Sequence, residues 1–93
     1  MAYDADSGDG TVYDHNYSRL NEGGCVMFCM QEAVHYTFTN NVSYDDLGGT
    51  LSPSQNPDAY IANNHFYKRK GVPLIRKRMH GKRTLKNNTI TEI

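Results

Sequence analysis

Residues 36–52 read YTFTNNVSYDDLGGTLS. A β-prone run, YTFT, leads into the polar pair Asn40–Asn41. A short second run leads into the acids Asp45 and Asp46, and Gly48–Gly49 precedes a further apolar step. The same order returns along the chain. TVYDHNYSRLNEGGCVM occupies 11–27, YIANNHFYKRKGVPLI occupies 60–75, and TLKNNTITEI occupies 84–93. Aligned on Asn16, Asn41, Asn64 and Asn88, the units are spaced by 25, 23 and 24 residues. Three positions before each Asn stand Tyr13, Phe38, Ile61 and Leu85, all bulky and apolar. One position before it stand His15, Asn40, Asn63 and Asn87, all polar. Seven after it stand Gly23, Gly48 and Gly71, and ten after it Val26, Leu51 and Leu74. The column two after it (Ser18, Ser43, Phe66, Ile90) does not agree. Apolar columns that hold their offsets together with Asn and Gly separate a repeat from an irregular β protein whose turns happen to use those residues.

The runs lack helical spacing, and the units are too short for the paired helices of most α-repeats. Val, Thr, Tyr, Phe and Ile favour strands. If each unit makes one coil, equivalent residues stack about 4.8 Å apart as parallel strands. The four Asn then form a ladder that satisfies polar groups at a bend, while the Gly column permits positive φ where the chain turns. In such a ladder Asn41 has neighbours on both sides, and Asn88, at the end, is expected to contribute less.

The pattern NNVSYDDLGGTL resembles the coils of right-handed parallel β-helix proteins, the pectate-lyase-like superfamily, and AYDADSGDGTVYDHNYSRLNEGG resembles coils of β-helix proteins from polysaccharide-degrading bacteria. The likeness covers nearly the whole chain. It implies an all-β, right-handed parallel β-helix (a β-solenoid) over residues 1–93, with about three full coils plus partial coils at both ends. Complete members have more coils and capped ends, and nothing at Met1 or Ile93 reads as a cap. The expectation is therefore a segment of a longer β-helix, or a piece that stacks on a partner chain. The family also implies an extracellular or periplasmic parent, although residues 1–20 have neither the basic nor the apolar region of a secretion signal.

Composition fits a small all-β unit. The chain has 93 residues, 38% hydrophobic and 22% charged, with seven Tyr, three Phe and no Trp. No apolar run approaches the roughly 20 residues of a membrane helix. The formal net charge is zero, with ten acids and ten bases. All the bases except Arg19 fall after residue 62, and all the acids except Glu92 fall before residue 63. Such a split suits a basic end that attracts an anion, or two halves that attract each other. Cys25 and Cys29 are four apart, about 13 Å on a strand, too far for a disulfide. Both read as small packing residues.

By the family likeness, substrate lies along the outside of one parallel sheet, and the strand after the Gly column is the candidate. Val26, Leu51 and Leu74 would point inward there, with Cys25, Met27, Thr50, Ser52, Pro73 and Ile75 outward, a face poor in acid–base groups. The loop before the Gly column is richer. Leu20, Asp45 and Lys68 share one offset, Asn21, Asp46 and Arg69 the next, and Glu22, Leu47 and Lys70 the third. Glu22, Asp45 and Asp46 can supply hard oxygens to Ca²⁺, the one cofactor the residues suggest. Arg69 or a Lys can hold a uronate carboxylate or take its α-proton. The candidate catalytic residues are Arg69, Lys68 and Asp46, and the candidate substrate-binding residues are Lys70, Asp45 and Glu22. The competing reading for each is a cross-coil ion pair on a solvated edge, worth little energetically.

Three further features weigh less. Asp4, Asp6 and Asp9 resemble a calcium loop without its closing Glu. His15, beside the Asn ladder, reads as structural, and His35, His65 and His80 share no offset. The basic stretch 67–86 can bind phosphate or an acidic polysaccharide alike, and the repeat favours the polysaccharide. The expected function is a lyase or hydrolase segment acting on an acidic polysaccharide. The alternative is a non-catalytic β-helix module that binds glycan or stacks on a partner chain. Membrane and nucleic acid are not the expected partners.

Overall fold

The computed structural model describes residues 2–6, 10–29, 35–46, 51–53, 59–74 and 83–93, with only the backbone course given for 4–6, 26–29, 51–53 and 83. The described elements are all strands. They are β1 (Tyr3–Asp6), β2 (Val12–Asp14), β3 (Tyr17–Arg19), β4 (Val26–Cys29), β5 (Tyr36–Thr39), β6 (Val42–Tyr44), β7 (Leu51–Pro53), β8 (Ala59–Ala62), β9 (His65–Lys68), β10 (Arg83–Lys86) and β11 (Thr89–Glu92). They form three sheets, ordered β1-β4-β7, β10-β8-β5-β2 and β11-β9-β6-β3. Every pairing is parallel, and each joins residues one repeat apart. Tyr13, Phe38, Ile61 and Leu85 are register partners in the second sheet. Among the described residues no helix is long and apolar enough to cross a membrane.

The apolar column three before each Asn forms the centre of the core. Phe38, Ile61 and Phe66 are fully buried, Tyr36, Ala59 and Cys25 nearly or wholly so, and Tyr3, Tyr13 and Leu74 pack against them. Phe38 and Phe66 lie parallel with centroids 6.4 Å apart, and Tyr13 meets Phe38 edge-on at 6.3 Å. Burial of each such ring favours the folded chain by roughly 1.5–3 kcal/mol. Leu85 and Ile90, in the last repeat, remain 39% and 49% exposed. Cys25 departs from expectation: it faces the core rather than solvent. Its thiol accepts or donates a 3.3 Å contact with the Ser18 hydroxyl, and burial pushes its pKa up to about 11. Leu74 does pack inward, and Pro73 is exposed. The side chains of Val26, Met27, Leu51 and Ser52, and all of Thr50, Ile75 and Gly48, lie outside the described residues.

The sharp corner between second and third sheets falls on the polar column before the Asn. His15, Asn40, Asn63 and Asn87 all have φ of +55° to +58°, a left-handed conformation that Asn tolerates better than most residues. At the Gly turns, Gly71 has φ +83°, whereas in the first repeat the positive φ falls one residue later, on Gly24.

Candidate functional site

The four ladder Asn stack at the corner between β2/β5/β8/β10 and β3/β6/β9/β11, and their bonds run in one direction. The Asn41 Oδ1 accepts the Asn16 backbone N–H at 2.8 Å, and its Nδ2 donates to the Tyr13 carbonyl at 2.9 Å. Asn64 accepts from the Asn41 N–H and Nδ2 and donates to the Phe38 carbonyl. Asn88 accepts from the Asn64 N–H and Nδ2 and donates to the Ile61 carbonyl. Each amide thus serves the repeat before it. Asn16 instead donates to the Asp14 carbonyl of its own repeat, at 3.3 Å. The weakly bonded end is therefore Asn16, whereas Asn88, expected to contribute less than Asn41, accepts two bonds and donates a third. The Asp14 carboxylate, on the same edge, accepts from Thr39 and Asn40 of the next repeat and meets the His15 ring at 2.6 Å. These bonds, the Asn40 amide first, hold its pKa down to about 2.

The acidic loop does not form an open carboxylate pair. Asp46 is 1% exposed. Its Oδ2 accepts the hydroxyls of Ser18 at 2.5 Å and Ser43 at 2.6 Å, and its Oδ1 accepts the Asn21 N–H and Nδ2 at 2.9 and 2.8 Å. Four donors stabilise the buried carboxylate and leave it no route to a substrate. This explains the column that disagreed: Ser18 and Ser43 point inward to serve Asp46, while the later repeats place Phe66 and Ile90 there. Paired Ser at that offset near an Asp was the signal for this cluster.

Arg69 shares its offset with Asp46 but binds Asp45. Its Nη2 donates to Oδ2 at 2.8 Å, and Nε sits 2.8 Å from Oδ1 without the alignment of a hydrogen bond, so the buried Oδ1 has charge compensation but no hydrogen-bond donor. Arg69 is 55% exposed and Asp45 8%. One planar edge of the guanidinium, expected to meet a uronate, is closed on the protein. Lys68 is half-buried on β9, in register with Glu92, while Lys70 and Glu22 are exposed on the turns that follow the third sheet. Those turns are closed by Asn21 accepting from Gly24 and Arg69 accepting from Val72. Among the described residues no three acidic, His or Cys side chains gather as a metal site.

The outer face of the third sheet carries an aromatic surface that the repeat columns did not single out. Inward Ser18, Ser43 and Phe66 alternate with outward Tyr17 and Arg19 on β3, Val42 and Tyr44 on β6, and His65 and Tyr67 on β9. Tyr44 and Tyr67 are register partners with centroids 5.4 Å apart. His65 lies flat on Tyr67 at 4.0 Å, and its Nε2 meets the Thr91 hydroxyl at 2.7 Å. The Arg19 guanidinium stands 5.9 Å from the Tyr44 ring centre. Tyr17 is 61% exposed.

With this geometry in hand, the chain is most usefully compared with a glycan-acting enzyme. It is 61% identical, over its full length and with a TM-score of 0.93, to a stretch of the GH136 lacto-N-biosidase from Eubacterium ramulus, in crystal structures of both the native protein and its selenomethionine derivative. It is also 39% identical, over 89 residues, to the lacto-N-biosidase of Bifidobacterium longum subsp. longum. The chain spans 15% of the Eubacterium chain and 6% of the Bifidobacterium protein. No family model matches it.

Proposed function

We propose that this chain supplies stacked repeats of a right-handed parallel β-helix, of the pectate-lyase-like kind, to a longer glycoside hydrolase that acts on a lacto-N-bioside. The observation that carries the reading is the 61% identity across the whole chain to the Eubacterium enzyme. The parallel sheets, the one-repeat register and the Asn corner support the β-helix. The acidic polysaccharide expected from the charge split gains no support, since Arg69 is held by Asp45. Hydrolysis through paired carboxylates needs two accessible groups flanking the bond. Asp45 and Asp46 are buried and engaged, so neither is free to serve as such a group, and the part these repeats play is to hold the enzyme's shape and present a surface. The test is to exchange residues 1–93 for the matching segment of the Eubacterium enzyme and to assay a nitrophenyl lacto-N-bioside. A folded, active chimaera is expected. A folded chimaera without activity, or turnover of polygalacturonate by the full-length enzyme in place of the lacto-N-bioside, overturns the reading.

A further inference from the structure

We infer that the outer face of the third sheet is a binding ledge for a neutral oligosaccharide, formed by Tyr17, Arg19, Tyr44, His65 and Tyr67. This rests on the proposed reading of the protein as glycan-acting and names a surface of contact for it.

The argument begins with where the aromatic residues fall. Outward positions on the parallel strands need no apolar side chain, because the core is filled from within by Tyr36, Phe38, Ile61 and Phe66. The outer face of the second sheet carries one ring, Tyr60, among Val12, Asp14, Thr37, Thr39, Thr84 and Lys86. The third sheet instead gathers three Tyr and a His on neighbouring strands. Mutual contacts hold the rings of Tyr44, Tyr67 and His65 without burying them, since all three are half-buried, and Tyr17 stands open beside them. Rings fixed before binding lose little conformational freedom when a ligand arrives.

The chemistry of the surface selects the ligand. A pyranose has an apolar C–H face that packs on aromatic rings and hydroxyls that bond to phenol, guanidinium and imidazole groups. Among these five side chains there is no carboxylate, and Arg19 is the one fixed charge, turned toward Tyr44. A charged ligand would find little to pair with, whereas a neutral glycan finds both its faces matched. The strands run in parallel register, so the ledge crosses successive repeats and suits an extended ligand of more than one sugar.

The experiment uses the full-length enzyme that carries these repeats, with Tyr17→Ala, Tyr67→Ala and Tyr44→Phe, and Tyr60→Ala on the second sheet as control. The probe is a neutral tetrasaccharide ending in lacto-N-biose through an S-glycosidic link that the enzyme does not cleave, titrated by calorimetry, beside hydrolysis of the small nitrophenyl lacto-N-bioside. Tyr17→Ala and Tyr67→Ala are expected to weaken tetrasaccharide binding by roughly two- to ten-fold, the equivalent of one lost aromatic contact. Tyr60→Ala should leave both tetrasaccharide affinity and hydrolysis of the small substrate unchanged, and salt should have little effect on binding. Tyr44→Phe, which keeps the ring, should bind within the same range as the parent protein. Tyr17 is open, so its variant remains informative if Tyr67→Ala fails to fold. Unchanged affinity in Tyr17→Ala, an equal loss in Tyr60→Ala, or binding abolished by salt overturns the ledge. Absence of hydrolysis of any lacto-N-bioside with intact Tyr-dependent binding overturns the enzymatic reading and leaves the ledge standing.

Discussion

Arg69 of one repeat lies against Asp45 of the repeat before it, Nη2 and Nε each 2.8 Å from a carboxylate oxygen. The acid is buried and the base half open, so the pair is unequal. Arg69→Met keeps much of the stem but leaves Asp45 buried without its counter-charge. The variant is expected to unfold at a lower urea concentration than the parent, with a smaller loss than for a fully buried pair because solvent reaches the guanidinium. Lys70→Met, on the adjoining exposed position, should change stability by less than about 0.5 kcal/mol. Urea denaturation of both variants checks this. Equal effects at the two positions would show the pair to be energetically idle.

The Asn corner gives a ranking. Asn41→Leu and Asn88→Leu each remove an amide that serves the preceding repeat, and each should cost on the order of 1–3 kcal/mol. Asn16→Leu removes one bond within its own repeat and should cost less than either. Thermal or urea unfolding of the three variants reads the order directly, and a cheap Asn88→Leu would contradict the bond pattern.

The left-handed corner offers a backbone test. Asn63 is exposed with φ +58°. Asn63→Gly should be close to neutral, because Gly adopts that φ freely but has more freedom to lose from the unfolded chain. Asn63→Val should lose about 1–2 kcal/mol through the clash of a β-branched side chain in that conformation. The difference between the two variants in denaturant midpoint is the measurement.

Asp14 makes an acid-range prediction. Its pKa is depressed from 3.8 to about 2 by the Asn40, His15 and Thr39 bonds. The folded carboxylate therefore binds protons less readily than the unfolded one. Its contribution to stability is present above about pH 4 and is lost as pH falls towards 2. Carbon-detected NMR titration should find Asp14 half-protonated near pH 2, and Asp14→Asn should flatten that part of the stability profile. A carboxyl titrating at its ordinary value would show that the cross-repeat bonds do not persist in solution.

How much of this was readable beforehand differs by feature. The period, the apolar column of Phe38 and Ile61 and the corner Asn all follow from spacing, because parallel register copies an offset from strand to strand. The pairing of Arg69 did not follow. Its offset matches Asp46, but Asp45 takes φ +54°, and a left-handed residue breaks the alternation that an offset argument assumes. Asp46 is thereby delivered to the interior, where Ser18 and Ser43 wait, and Asp45 is left to the arginine. Cys25 was misplaced for a related reason: it stands next to Gly24, at φ +101°, before β4 begins its own alternation. The tyrosine face went unnoticed because Tyr17, His65 and Val42 share a column without sharing a residue type. Surface chemistry is set by the sum of neighbours rather than by identity at one offset.

The one-way Asn corner carries a consequence for how the molecule is made. A newly synthesised repeat can fold its strands, yet the backbone N–H of its own Asn and the carbonyl three residues earlier are bonded by the amide that follows. The ribosome must add about one more repeat before those bonds can form. Maturation should therefore trail translation by a repeat, travelling from the amino end as a closing front. A stalled chain would keep its last corner open to water, where quality-control proteases can find it.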